Sequence, residues 1–118
     1  MATPTDPAFQ DRLQALRDKY AASVPGRMAA IRDGLALCVQ AGRTRANLEQ
    51  LHHALHSVAG SAGSFGLHAL GDESRRIEQL VRGVMEAGAS WDGIETAVLA
   101  LLHWADKDFR ATNFAAHD

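Results

Sequence analysis

The chain has 118 residues, 47% of them hydrophobic, with 12 Lys and Arg against 14 Asp and Glu and a formal net charge of −2. That is one small domain with enough apolar side chains for a core, and it excludes the strongly basic balance of a sequence-independent nucleic-acid binder. No run of 18 apolar residues is present to span a membrane, the N-terminus Met1-Ala2-Thr3-Pro4-Thr5-Asp6 lacks the basic and apolar regions of a signal peptide, and the single Cys38 cannot form an internal disulfide. A cytoplasmic protein with a buried thiol fits these limits, and the starting methionine and compact length favour a free-standing one.

Five helical segments follow in order, with no convincing strand. Asp6 is an N-cap and Pro7 suits the first helical position of a segment whose apolar side is Phe9, Leu13, Leu16 and Tyr20. Ser23-Val24-Pro25 predicts a restart, because Pro25 disfavours helical geometry at Val24. Val24, Met28, Ile31, Leu35 and Cys38 form the next stripe, stopping at Gly42. Thr44 caps a third helix on Leu48, Leu51, Leu55, Val58, Ala62 and Phe65, which Gly66 ends or bends. A fourth carries Leu67, Leu70, Ser74, Ile77, Val81 and Val84 and closes at Gly88. Ser90 is the expected cap of a fifth, with Asp92 and Glu95 near its positive end and Trp91, Ile94, Val98, Leu101, Leu102, Ala105 and Phe109 inside. Trp104 reads with Trp91 as a core or core-edge aromatic. Short connections between amphipathic helices favour antiparallel neighbours. The expected fold is therefore all-α: an antiparallel up-down four-helix bundle over residues 7–110 with an additional N-terminal helix, and frayed tails at 1–6 and 112–118.

The third helix carries the chemistry. At about 100° per residue, His56 lies roughly 140° from the centre of the apolar stripe, facing solvent. Gly60 and Gly63, at i+4 and i+7, point within about 20–40° of the same direction. Glycine inside a helix costs about 1 kcal/mol relative to alanine, so two of them beside one exposed imidazole suggest a purpose, which is access by another protein. By composition Gly60–Gly66 also reads as a flexible linker, yet Ala62 and Phe65 keep the phase of the leucines.

Other chemistries fit less well. His52 and His56, at i and i+4, can share a metal, with His68 as a third ligand from the next helix, but the metalloprotease pattern would need glutamate where His53 stands. The glycine stretch has no Walker lysine and follows no strand, which rejects nucleotide binding. Ser57, Ser61 and Ser64 form no nucleophile elbow, and an i+1 serine does not face His56. A neutral imidazole, in contrast, is a good nucleophile toward phosphorus near neutral pH. In-line transfer needs an acceptor that stands proud among small neighbours.

The run Ala54-Leu55-His56-Ser57-Val58-Ala59-Gly60-Ser61-Ala62-Gly63-Ser64-Phe65-Gly66, followed by Leu70 and Ile77-Glu78, resembles the histidine-containing phosphotransfer (HPt) domain. The likeness covers about residues 7–110 and is specific over 51–80. It implies a four-helix bundle of two-component phosphorelays that carries a phosphoryl group on His56, through the outward ring nitrogen, between aspartates of receiver domains. Those receivers belong to hybrid histidine kinases and response regulators. It implies a monomeric phosphocarrier rather than an enzyme, with no cofactor or metal of its own, Mg²⁺ coming from the receiver, and no nucleic acid or membrane partner. Partners then dock around His52, His53, Ala59, Gly60 and Gly63. Many members have lysine three residues after the histidine; Ala59 stands there, and Arg75 and Arg76, returning to that level on the next helix, are the candidate phosphoryl-stabilising groups, or else surface charges paired with Asp72 or Glu78. A rival from another class is a non-phosphorylated helical interaction module in which the glycines serve close packing; a zinc-binding bundle is the third reading.

Overall fold

The structure is a computed structural model and describes residues 6–114. Asp6 accepts from the backbone N–H of Ala8 at 2.8 Å and starts α1 (Pro7–Gln40) with Pro7 in its first turn. Thr44 accepts from the N–H of Asn47 at 3.2 Å and starts α2 (Arg45–Ser61). A tighter 3₁₀ turn, Ala62–Phe65, follows, and Gly66 with φ +87° reverses the chain into α3 (His68–Ala87). Gly88, at φ +63°, ends α3, and α4 (Ile94–Asp108) completes the bundle. The helices run up, down, up, down, each packed on its sequence neighbours and α4 back on α1, so α1 lies diagonal to α3 and α2 to α4.

The core is the set of stripes read from the sequence. Leu48, Leu51, Leu55, Val58 and Ala62 are buried, as are Leu70, Ser74, Ile77 and Val81 from α3, and Ile94, Val98, Leu101, Leu102 and Ala105 from α4. Trp104 and Cys38 join them, and burial pushes the Cys38 thiol above its usual value although Arg43 pulls it down.

Three expectations are corrected. The break at Val24-Pro25 is overridden: α1 is one helix of 34 residues, so the additional N-terminal helix is its first half. Proline in a helix interior costs about 3 kcal/mol. Here the ring faces solvent, while Tyr20, Val24, Met28, Ile31, Leu35 and Cys38 bury one unbroken stripe across it, and that burial requires helical phase. Second, the apolar side of the first half is only partly covered. The hydroxyl of Tyr20 bonds that of Ser61 at 2.7 Å, where α2 ends, so the residues before Tyr20 run past α2, leaving Phe9 and Leu13 half-buried and Leu16 exposed.

Third, Ser90 accepts from the N–H of Asp92 at 3.0 Å and so caps a turn rather than a helix; α4 begins at Ile94 behind Gly93, and Asp92 stays outside it. Within the expected tails, the described residues make some contacts. The indole N–H of Trp104 donates to the carbonyl of Asn113 at 3.1 Å and its ring meets Phe114 edge-on, because a buried indole needs an acceptor. Residues 112–114 are thus held against the bundle, and Asp6 is fixed as a cap; residues 1–5 and 115–118 lie outside the described residues.

Candidate functional site

The middle of α2 presents two flanks. One faces α1: His53, Ala54 and Ser57 line a groove of about 460 Å³ with Ser23, Gly26, Arg27 and Ala30. The other faces α3 and holds His52, His56 and Ala59. His53 and His56 are both exposed, yet they belong to opposite flanks.

On the α3 flank Nδ1 of His56 is hydrogen-bonded to Oε2 of Glu78. The Glu78 side chain is 8% exposed and that of His56 61%, so a buried carboxylate anchors a ring that stands in solvent. A carboxylate only accepts, so Nδ1 carries the proton, and a neutral ring in this pair keeps the lone pair on Nε2 at the outer edge. Nε2 has no protein partner among the described residues. The same Oε2 lies 3.3 Å from Nε2 of His52 and 3.8 Å from a terminal nitrogen of Arg82. The two imidazoles stack with centroids 5.9 Å apart and planes 13° from parallel. Burial holds the pKa of His52 below its usual value, against the opposing pull of Glu78 and with help from Arg82 and His56.

One turn beyond His56 the surface is open. A β-carbon on Gly60 would meet nothing within 4 Å. On Gly63 it would touch only the ring of His68, at 3.5 Å, because Gly63 already belongs to the 3₁₀ turn. The closest helix approach is made by other glycines: a β-carbon on Gly71 would lie 3.3 Å from the backbone nitrogen of Gly63, and one on Gly34 only 2.8 Å from Cα of Leu51. The linker reading of this stretch fails, since Ala62 is fully buried and Phe65 stacks on Tyr20 at 4.7 Å.

The sequence-based candidates separate. His56 and Gly60 stand together on the open surface, and Gly63 is half-exposed nearby. His52 faces Glu78 rather than solvent, its side chain 18% exposed. Ala59 is buried, which corrects its assignment as a docking residue: α3 packs over that flank, and an angle count on one helix cannot see the neighbour. Arg75 donates from Nη2 to the carbonyl oxygen of Ala59, three residues past His56, at 2.8 Å, satisfying a carbonyl near the end of α2. Arg76 is turned elsewhere. It donates to the buried Glu73 carboxylate from Nε at 2.8 Å and Nη2 at 2.6 Å, an i,i+3 pair local to α3, and these hydrogen bonds to Glu73 raise the arginine's pKa.

Two cations were not singled out by the sequence. Arg82 joins through the i+4 spacing from Glu78, a signal that was there to read. Arg27 reaches from α1 to Ser57 Oγ at 2.8 Å while lying 4.5 Å over the ring of Tyr20, a pairing that only the packing of α1 on α2 creates. No group of three or more His, Cys, Asp or Glu side chains among the described residues is placed to hold a metal ion.

An exposed histidine tied at Nδ1 and flanked by a bare glycine thus stands mid-helix in a four-helix bundle, and the bundle agrees with what comparison finds. The Hpt domain family model matches residues 15–107. No match was found among curated proteins or solved structures. Hpt domains are helical bundles that serve phosphotransfer in two-component signalling as carriers rather than enzymes, and they interact with receiver domains. With that match running over most of its length and the bundle formed throughout, the chain belongs to the Hpt domain family.

Proposed function

We propose that the chain is a phosphorelay intermediate that carries a phosphoryl group on Nε2 of His56 between receiver aspartates. One observation carries this reading: Glu78 fixes Nδ1 of His56, so the outer nitrogen is the nucleophile, and Gly60 leaves the approach to it clear. In the transfer step the Nε2 lone pair forms the N–P bond as the O–P bond to the donor aspartate breaks, and the aspartate leaves as carboxylate. The Nδ1 proton stays on the ring, which becomes positively charged. Glu78 faces that charge as it develops, the role a carboxylate behind a catalytic imidazole commonly serves. Onward transfer is the reverse step toward a second aspartate.

Arg75, anchored at Ala59, supplies positive charge where many relatives have lysine, and Arg27 and Arg82 bracket the site from its two sides. Mg²⁺ and the acidic residues that hold it come from the receiver. The docking surface is the exposed face around His56 and Gly60, flanked by His53 and Gly63. The carrier works as a monomer in the cytoplasm, and its docking is transient, because a relay component must also release.

The rival interaction module asks the glycines of this face to serve close packing. Gly60 meets nothing, and the packing glycines Gly34 and Gly71 lie outside that face, which favours access over packing. The deciding experiment is incubation of the chain with a phosphorylated receiver. An acid-labile, base-stable label is expected on wild type and none on a folded His56→Gln variant. Label at normal yield on the variant would remove His56 from the reaction.

A further inference from the structure

Glu78 is asked to serve two imidazoles. Its Oε2 accepts from Nδ1 of His56 and also lies 3.3 Å from Nε2 of His52, an enclosed nitrogen with no hydrogen bond of good geometry. A buried polar nitrogen without a partner costs about 1–3 kcal/mol, so its position needs a reason. His52 sits one turn before His56, its ring stacked nearly parallel, with its far nitrogen shut off from water and 3.3 Å from the carboxylate, within reach of a small turn of the ring. A carboxylate held by one donor can rotate about its last bond; a second donor on another side of the same oxygen restricts that rotation. Arg82, at 3.8 Å and half-exposed, is too distant and too solvated to do this as well.

We propose that His52 is a positioning residue: it offers Nε2–H to Glu78 and so fixes the carboxylate that orients His56. His52 never touches phosphorus. It acts through Glu78, as an outer partner acts behind a ligating imidazole. In the unphosphorylated chain the effect is a single tautomer at His56, protonated at Nδ1 with the Nε2 lone pair outward. Its consequence for transfer rests on the phosphoryl-carrier reading; its consequence for the tautomer does not.

Two substitutions separate reach from polarity. In His52→Gln the amide extends as far as the imidazole Nε2; in His52→Asn it is one methylene short of Glu78. The full chain of each is examined by ¹⁵N NMR of the histidine rings, and its labelling rate is measured with phosphoramidate as a small phosphoryl donor that needs no partner. Wild type and His52→Gln are expected to show His56 in the Nδ1–H tautomer. His52→Asn should show mixed tautomers and label about tenfold more slowly, the lower end of what losing such an outer partner does. An unchanged tautomer ratio in His52→Asn, or a His52→Gln chain perturbed as much as His52→Asn, overturns the proposal. A wild-type chain with the expected tautomer that takes no label from phosphoramidate or a phosphorylated receiver overturns the carrier reading instead, and leaves the role of His52 standing.

Discussion

A β-carbon at Gly34 would lie 2.8 Å from Cα and 3.1 Å from the backbone nitrogen of Leu51, so α1 and α2 meet backbone to backbone at that level. Neither atom belongs to a side chain that can swing away. Gly34→Ala therefore has to push the helices apart, and overpacking of this kind costs about 1–3 kcal/mol, offset in part by the better helix propensity of alanine. A net loss on the order of 1–2 kcal/mol is expected, read as a thermal midpoint lower by roughly 4 °C or more. An unchanged midpoint would contradict the close crossing.

Gly60 predicts the opposite sign. Its Cβ position is empty and the residue is exposed within α2, so Gly60→Ala should stabilise by about 0.5–1 kcal/mol and still accept phosphoryl. Gly60→Glu should fold equally well yet lose transfer by at least about 100-fold, because its bulk and charge meet the incoming phosphoryl and like-charge juxtaposition costs several kcal/mol. Normal transfer by the glutamate variant would show that access is not why glycine stands there.

Arg75 and Arg76 should part company. Loss of Arg75 frees the Ala59 carbonyl and removes the cation anchored there, and Arg75→Ala is expected to slow receiver-to-His56 transfer by roughly 10- to 100-fold. Arg76→Ala should leave transfer alone. It strands the buried Glu73 carboxylate, with an expected loss of about 1–2 kcal/mol for a pair whose arginine is half in water. Chemical denaturation and transfer rates on both variants test the split, and equal effects on transfer would refute it.

His52 also gives the fold a pH dependence. Burial keeps its folded pKa below the usual value of about 6.5, so an unfolded chain takes up the proton first as pH falls. Its contribution to stability is complete above about pH 6.5 and is lost as pH drops through the window beneath. His52→Gln removes this titration. The thermal midpoint of wild type should therefore fall relative to the variant as pH is lowered from about 7.5 to about 5.5. Parallel curves would mean that burial does not perturb His52.

Much of the fold was legible because helical periodicity reports directly on burial. Each apolar stripe of the bundle proper became core, and the caps at Asp6, Thr44 and Gly88 stand where their side chains or backbone freedom suit a helix end. The signals that misled were local ones weighed without their surroundings. Pro25 argues for a break when only its neighbours in sequence are counted, yet the stripe from Tyr20 to Cys38 gains more by staying helical. Ser90 has the chemistry of a helix cap and uses it in a turn, three residues before the position that caps α4.

At the site, the amino-acid sequence by itself determined that His56 faces outward and that Gly60 leaves its C-terminal side bare, since both follow from the angle between a residue and the apolar stripe of its own helix. What lies to either side of that outward direction was decided only by the packing of α1 and α3. Their placement covers Ala59, sends His53 to the α1 groove, and turns Arg75 to the site while Arg76, one residue on, points to Glu73. It also brings Glu78, 22 residues from His56 in sequence, onto Nδ1. Periodicity measures rotation about one axis; which nitrogen of an imidazole is held, and by what, depends on a second axis beside it.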